Sequence, residues 1–251
     1  MSEETATSTA QPQFYNNPEP LDANKHGDLK FRTDTGYGFA RNATGVMITA
    51  AEFVHAAKHY PIVFTESDPA TPVALLGVRK GQNLFVDEEG NWAKGVYIPA
   101  YIRRYPFAFV SSADADRLIL CVDRESQHVN TEEGEPLFAD GKPTDVTNNA
   151  LEFCTAFQRQ HNVTSQLTQA LAEHGLLNKR RADVSLGPIE RTAVTDFLAA
   201  TEDGVAGLPD EVFLDLRKKG LLGFVYVHLM SLTNFNMLAQ MAVQADSNAA
   251  N

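Results

Sequence analysis

Short apolar runs that follow one another closely are the feature of this sequence that most constrains its fold. Six runs of four to six residues lie between positions 62 and 122, at 62–65, 73–78, 83–86, 92–97, 107–110 and 118–122. Parallel strands need crossover connections of a dozen or more residues, and these spacings leave no room for them. We therefore predict a mainly antiparallel sheet, with the continuously apolar run 118–122 as its central strand.

Helical periodicity replaces strand periodicity after residue 143. Helices are predicted at 144–161, 165–173, 210–219 and 221–242, with a strand pair at 181–194 around a Gly187-Pro188 turn. A shorter helix at 49–59 begins with a capping box of Thr49 and Glu52. The predicted class is α+β: a single domain over 14–243, sheet-rich at 30–143 and helix-rich at 144–243. A disordered tail at 1–13 and a frayed tail at 244–251 flank it.

Composition limits the classes of protein to which the chain can belong. The hydrophobic content of 43% and charged content of 21% are typical of soluble globular proteins. A net charge of −11 argues against general nucleic-acid binding, which needs a dominant basic field. The apolar stretch 221–243 contains scattered polar residues and is interpreted as a buried amphipathic helix, with no membrane span. Without a signal peptide pattern or a cysteine framework, the predicted location is cytoplasmic.

An aromatic and basic segment is the main candidate for a functional surface: Tyr97-Ile-Pro-Ala-Tyr-Ile-Arg-Arg-Tyr-Pro-Phe-Ala-Phe-Val110. Its two prolines predict a helical turn at 99–104 between two strands, with an edge strand as the alternative. Aromatic and arginine side chains anchor interfaces and bind carboxylates or phosphates. The candidate binding residues are Trp92, Tyr97, Tyr101, Arg103, Arg104 and Tyr105. The alternative is that the aromatics fill the core and the arginines form internal ion pairs.

A carboxylate and two imidazoles on the predicted first helix form a second candidate site. Glu52, His55 and His59 lie at offsets of three and seven, so they share one helix face and offer ligands for iron or zinc. Glu52 already serves its helix cap, and no further ligand lies nearby in sequence. We therefore predict no metal and no cofactor, with these three residues as the alternative set.

Acid–base catalysis has only scattered candidates. Asp123, His128 and His228 can serve if the fold brings them together, although a histidine in an apolar helix is more typical of a hydrogen-bonded core residue. The sequence contains no nucleophile elbow, phosphate loop, dinucleotide-binding motif or zinc-spaced cysteine pair. No catalytic residue is assigned.

Several motifs resemble those of the SapC family of bacterial proteins. The similar segments are Pro61-Ile-Val-Phe64, Leu75-Leu-Gly77, Asn83-Leu-Phe-Val-Asp87, Gly90-Asn-Trp92, Tyr97-Ile-Pro-Ala100, Arg103-Arg-Tyr-Pro-Phe107, Leu137-Phe138, Gly141, Gly220-Leu-Leu222 and His228-Leu-Met-Ser-Leu232. The resemblance covers residues 15–238. The family is named after a surface-layer-associated protein, and members occur beside TonB-dependent receptors and halogenase-like genes. It supplies no catalytic residue.

Three functions are compatible with these observations. The leading prediction is a soluble, non-catalytic binding or scaffold protein for a partner protein or small anionic ligand, which the resemblance links to surface-layer or TonB-dependent uptake systems. The alternative is an enzyme or accessory subunit of a halogenase or oxygenase pathway, metal-assisted through Glu52, His55 and His59. A third is an exported, self-assembling surface-layer component, because the resemblance implies surface association.

Overall fold

The computed structural model describes residues 12–111, 118–187 and 191–249. Its α-helices are α1 (Ala23–His26), α2 (Phe53–Ala56), α3 (Ala100–Arg103), α4 (Asp145–Glu173), α5 (Glu202–Ala206), α6 (Asp210–Lys218), α7 (Leu221–Ser231) and α8 (Asn234–Ala249). Its strands are β1 (Pro18–Pro20), β2 (Lys30–Phe31), β3 (Gly45–Met47), β4 (Ile62–Phe64), β5 (Pro72–Leu75), β6 (Phe107–Ser111), β7 (Leu118–Asp123), β8 (Val129–Asn130), β9 (Glu135–Pro136), β10 (Phe138–Ala139), β11 (Lys142–Pro143), β12 (Asn178–Ser185) and β13 (Arg191–Ala199). The strands pair antiparallel, and most precede the long helices, which confirms the α+β class.

The chain forms two compact units that alternate along the sequence. Unit 1 comprises Met1–Thr35 and Arg104–Cys154, and unit 2 comprises Gly36–Arg103 and Thr155–Asn251. The division therefore passes between the two adjacent arginines of the aromatic segment.

Unit 1 is built on a three-stranded sheet in the order β1-β7-β6, so β7 is the central strand, as predicted. A second three-stranded sheet has the order β8-β2-β9, and β10 pairs with β11. The last three residues of β7 are buried, whereas Leu118 and Ile119 at its start are exposed. Large apolar side chains from several elements form the core, including Leu29, Phe107, Val122 and Leu137.

The buried side chain of Asp123, at the end of β7, organises the polar interior of unit 1. Its carboxylate accepts hydrogen bonds from the backbone amides of Asn16 (3.1 Å), Asn17 (2.9 Å) and Glu125 (3.2 Å). It also accepts one from the hydroxyl of Tyr105 at 3.1 Å. A buried carboxylate is tolerated only when it is hydrogen-bonded in this way. Asp123 thereby fixes the N-terminal segment beside the sheet.

Unit 2 contains a five-stranded antiparallel sheet in the order β12-β13-β4-β5-β3. The long hairpin of β12 and β13 comes from the second half of the chain and joins the sheet where Leu198 pairs with Phe64. The predicted strand pair at 181–194 is therefore real but longer, while its turn at 188–190 lies outside the described residues. Helical side chains such as Leu171, Leu216 and Val225 form an apolar core cluster.

Two predicted strands are absent from the described parts of the chain, and the predicted helix boundaries differ. Residues 83–86 and 92–97 contribute a single bridge between Val86 and Trp92, because turns occupy most of that region. The helices predicted at 144–161 and 165–173 are one continuous helix, α4. The hydroxyls of Thr164 and Ser165 donate to carbonyls four residues earlier, so these polar residues are accommodated without a break.

The C-terminal helix predicted at 221–242 is instead two helices, α7 and α8. The break is stabilised by Asn234, whose amide donates to the carbonyls of Ala57 and Tyr60. The second helix continues to Ala249, and Arg79 pairs bidentately with Asp246 on it. Residues 1–11 of the predicted disordered tail and the last two residues lie outside the described ranges.

The α7–α8 region is less buried than predicted. Leu221–Asn248 is long and apolar enough to cross a membrane, and 28% of its apolar 18-residue stretch is buried. This is weak evidence for a span, because core helices of soluble proteins meet the same criteria. One face of α7 is buried, while Met230 on the same helix is 71% exposed.

The buried His228 attaches α7 to the sheet of unit 2. Its Nδ1 lies 2.8 Å from the carbonyl oxygen of Ile62, and its Nε2 accepts from the amide of Ala200 at 3.0 Å. The hydroxyl of Ser231, one turn later, accepts from the amide of Ile62 at 3.0 Å. The imidazole is therefore neutral, with its proton on Nδ1, and burial lowers the pKa of His228 to about 4. This confirms the expectation of a hydrogen-bonded core histidine.

We predict that unit 2 loses stability in acid through His228. The unfolded chain binds a proton to this group below its ordinary pKa of 6.5, whereas the folded chain does so only near 4. Between these values the free energy of unfolding falls as pH falls, by about 3 kcal/mol in total. NMR titration of the imidazole measures the folded pKa directly. Ser231→Ala is the matched control, because it weakens the same attachment without changing this pH dependence. A folded-state pKa near 6.5 would contradict the prediction.

We also predict that Asp123→Asn destabilises unit 1 by roughly 2–4 kcal/mol, because an amide cannot accept from all four donors and brings its own donors into a buried site. Chemical denaturation measures the loss. The exposed Asp140→Asn is the control and should stay near the wild-type value. Equal stability of the two variants would contradict the role given to Asp123.

Candidate functional site

The aromatic and basic segment contains the predicted helical turn. Helix α3 follows Pro99, whose carbonyl oxygen accepts hydrogen bonds from the amides of Ile102 at 3.0 Å and Arg103 at 3.1 Å. The helix ends before Pro106, and β6 begins directly after it. The helical prediction is confirmed, and the alternative of an edge strand is wrong.

The carboxylate of Glu52 holds this turn in place. One oxygen accepts from the amide and the hydroxyl of Thr49, at 2.8 and 2.9 Å, which completes the predicted capping box. The other accepts from the amide of Ala100 at 2.7 Å and the hydroxyl of Tyr97 at 3.1 Å. Glu52 is only 4% exposed. One buried carboxylate thus joins the capping box to the start of α3.

Three side chains form a surface above Glu52, and we call His55, Tyr97 and Arg103 the Tyr97 surface. The ring of His55 stacks on that of Tyr97 at 5.5 Å between centroids and an interplanar angle of 24°. The guanidinium carbon of Arg103 lies 5.7 Å from the Tyr97 ring centre. His55 and Arg103 are exposed, and Tyr97 is half-buried.

Hydrogen bonds orient the guanidinium of this surface. Arg103 Nε donates to the carbonyl oxygen of Ile98 at 3.0 Å, and one terminal nitrogen donates to the Tyr97 hydroxyl at 3.3 Å. Burial, and then the charge of Glu52, raise the pKa of Tyr97. The phenol therefore stays neutral and donates a hydrogen bond to Glu52. A cation–π contact and two donor bonds restrict how Arg103 can move.

The other predicted binding residues do not belong to this surface. Trp92 is buried against Tyr37 and Phe85, and Tyr101 is buried against Phe157. These aromatics fill the core of unit 2, as the alternative interpretation expected, because their large apolar area is stabilised by burial.

The last two candidates, Arg104 and Tyr105, lie in unit 1. Tyr105 is buried and donates to Asp123, and burial raises its pKa to about 12. The guanidinium carbon of Arg104 lies 5.7 Å from the ring centre of Tyr15. Of the six predicted residues, Tyr97 and Arg103 contact each other at an accessible position, and their role in binding stays a prediction.

The alternative metal set does not converge. Glu52 uses both oxygens in the bonds above, His55 lies on Tyr97, and the His59 ring packs edge-on against Tyr60. Burial lowers the pKa of His59. Over the ranges that the structure describes, no group of three His, Cys, Asp or Glu side chains is placed to hold a metal ion.

The scattered acid–base candidates separate into the two units. In unit 1 the rings of Tyr105 and His128 lie 5.7 Å apart, so the fold does bring Asp123 and His128 near a common tyrosine. His128 Nδ1 lies 2.6 Å from the Thr35 hydroxyl and 3.1 Å from the Arg32 carbonyl oxygen. These buried groups are bonded to backbone and hydroxyl partners. His228 belongs to unit 2.

We predict that Glu52→Gln costs roughly 1–3 kcal/mol of stability and loosens the Tyr97 surface, because the amide group cannot accept from all four donors. The amide proton of Ala100 should exchange faster with solvent, by tenfold or more, as measured by hydrogen exchange with NMR detection. The exposed Glu88→Gln provides the control. Unchanged exchange at Ala100 in a folded Glu52→Gln protein would contradict the anchoring role.

Comparison with known proteins places this chain in a family. No curated protein and no solved structure matches the chain. A family model described as SapC matches residues 21–238, which include the capping box, the Tyr97 surface, Asp123 and His228. The match agrees with the extent of the sequence resemblance, and the chain belongs to the SapC family.

Proposed function

We propose that this SapC-family protein is a non-catalytic binding protein whose Tyr97 surface holds an anionic group of a partner protein or of a small ligand. The observation that carries the proposal is the exposed Arg103 guanidinium, which Ile98 and Tyr97 orient on a turn anchored by Glu52. A planar guanidinium recognises carboxylates and phosphates with paired donors.

Pre-organisation supports a binding role for this surface. An arginine side chain loses rotamer freedom when it binds, and that loss opposes association. Here the cation–π contact and the bonds to Ile98 and Tyr97 have already restricted Arg103 before any ligand arrives. The stacked ring of His55 extends the flat contact area beside it.

The buried titratable groups support a non-catalytic reading. Glu52, Asp123 and His228 each join backbone segments that are distant in sequence, through atoms already engaged in hydrogen bonds. Catalytic acids and bases instead need access to a reacting group. A cytoplasmic location and a link to surface-layer or TonB-dependent uptake systems are further parts of this proposal. They rest on the sequence and on family membership.

The test is affinity purification from the native cell, with mass spectrometry of the proteins recovered. We expect Arg103→Ala to reduce recovery of the main partner by roughly tenfold or more, and Arg103→Lys to restore it in part, because lysine keeps the charge without the paired donors. Arg124→Ala, which removes an exposed arginine of unit 1, is the matched control. Unchanged recovery with a folded Arg103→Ala protein would refute the proposal for a protein partner.

A small anionic ligand is tested separately, with acetate and inorganic phosphate as probes. The Nε–H resonance of Arg103 in a nitrogen-edited NMR spectrum should shift during titration with an anion that binds there. The signal of Arg124 should move much less. Equal, non-saturating shifts at both arginines would show screening by salt and count against a site.

A further inference from the structure

Unit 2 also contains a groove, and none of the residues of the Tyr97 surface line it. Helices α5, α6 and α7 and the loop after α5 surround it, with a volume of about 660 Å³. Val205, Leu208, Phe213 and Leu229 contribute apolar side chains to its lining. Val205 is buried, and the other three are partly buried against the core cluster of unit 2. The groove therefore has a floor supported by the packed interior.

The wall formed by α7 exposes two large side chains. Tyr226 is 48% exposed and Met230 is 71% exposed, and both line the groove. They are four residues apart, so they lie on the same side of the helix. A large apolar side chain that is mostly exposed beside a concave apolar surface is typical of a protein interaction site. The thioether of methionine also adapts its shape to different partners.

The charged side chains at the groove all have the same sign. Glu202 and Asp210 line it, and both are exposed. Asp203 and Glu211 follow them in the first turns of α5 and α6. The described lining residues include no lysine, arginine or histidine. An apolar floor with an acidic rim favours a partner that is apolar on one side and basic on its edges.

We propose that this groove docks a basic amphipathic helix of a partner protein. Apolar side chains at i, i+3, i+4 and i+7 of such a helix would contact Phe213, Leu229 and Met230. Lysine or arginine residues beside them would face Glu202 and Asp210. This is the helix-in-groove mode of recognition, in which apolar anchors provide affinity and charge selects the partner.

The acidic rim disfavours two other occupants. A second copy of this chain in a twofold contact would bring each acidic rim near its own copy, and like charges oppose that association. An anionic bilayer surface would repel the same carboxylates, although the stretch Leu221–Asn248 is apolar enough to be considered. A basic helix is attracted by both features of the groove.

The probe is a fluorescein-labelled helical peptide of about 18 residues made of leucine and lysine, with leucines at helical spacing. Its counterpart carries glutamate in place of lysine. We expect fluorescence anisotropy with the full chain to show that the lysine peptide binds more tightly than the glutamate peptide, with a dissociation constant lower by roughly tenfold or more. Met230→Gln should weaken binding of the lysine peptide by roughly fivefold or more, and Glu202→Gln with Asp210→Asn should reduce both its affinity and its salt dependence.

Two matched variants separate the groove from general effects of charge and apolarity. Val163→Gln removes another exposed apolar residue on a helix, and Glu88→Gln with Glu89→Gln removes two exposed carboxylates elsewhere. Both should bind the lysine peptide as the wild-type protein does. Equal affinity for the two peptides, or equal losses in the groove and control variants, would overturn the proposal.

The disfavoured occupants have their own measurements. Self-association that Met230→Gln abolishes, seen by analytical ultracentrifugation, would assign the groove to a second copy. Binding to phosphatidylglycerol vesicles that is lost in the same variant, with no preference between the peptides, would assign it to a membrane surface. Either result would overturn docking of a basic helix.

Discussion

The Tyr97 surface depends on the hydrogen bonds that the carboxylate of Glu52 accepts. It accepts hydrogen bonds from the amide of Thr49 and from the amide of Ala100, which lies 48 residues after Glu52. It also accepts one from the phenol of Tyr97. Each of these donors would lose a partner if the carboxylate moved. Burial makes such losses costly, so the turn before α3 has one well-defined position.

The same physical device appears at two other places. Asp123 collects amides from the N-terminal segment at the end of β7, and His228 connects α7 with the backbones of Ile62 and Ala200. In each case one buried polar side chain bonds to backbone groups that are distant in sequence. Apolar packing in the two units stabilises compactness, whereas these polar attachments select which segments lie together. The family match includes Glu52, Asp123 and His228, while Asn16 and Asn17, which donate to Asp123, lie before it.

Local patterns in the sequence predicted local structure well. Thr49 and Glu52 form the expected capping box, Pro99 begins the expected turn, and the antiparallel pairing follows from the short spacings. The pattern did not reveal the second role of Glu52, because nothing near it in sequence indicates a partner at Ala100. The joining of β13 to β4 was missed for the same reason. The helices predicted at 144–161 and 165–173 are one helix, in which the hydroxyl of Thr164 bonds to a carbonyl of the preceding turn.

The alternation of the two units along the chain has a consequence for synthesis on the ribosome. All residues of unit 1 have been synthesised once Cys154 has emerged. At that stage only Gly36–Arg103 of unit 2 has been made. The edge of β4 that later pairs with β13 stays open until Leu198 is made. A β4 strand that forms before residue 198 is made has this apolar edge unpaired. Such edges are the surfaces on which chaperones act and from which misassembly starts.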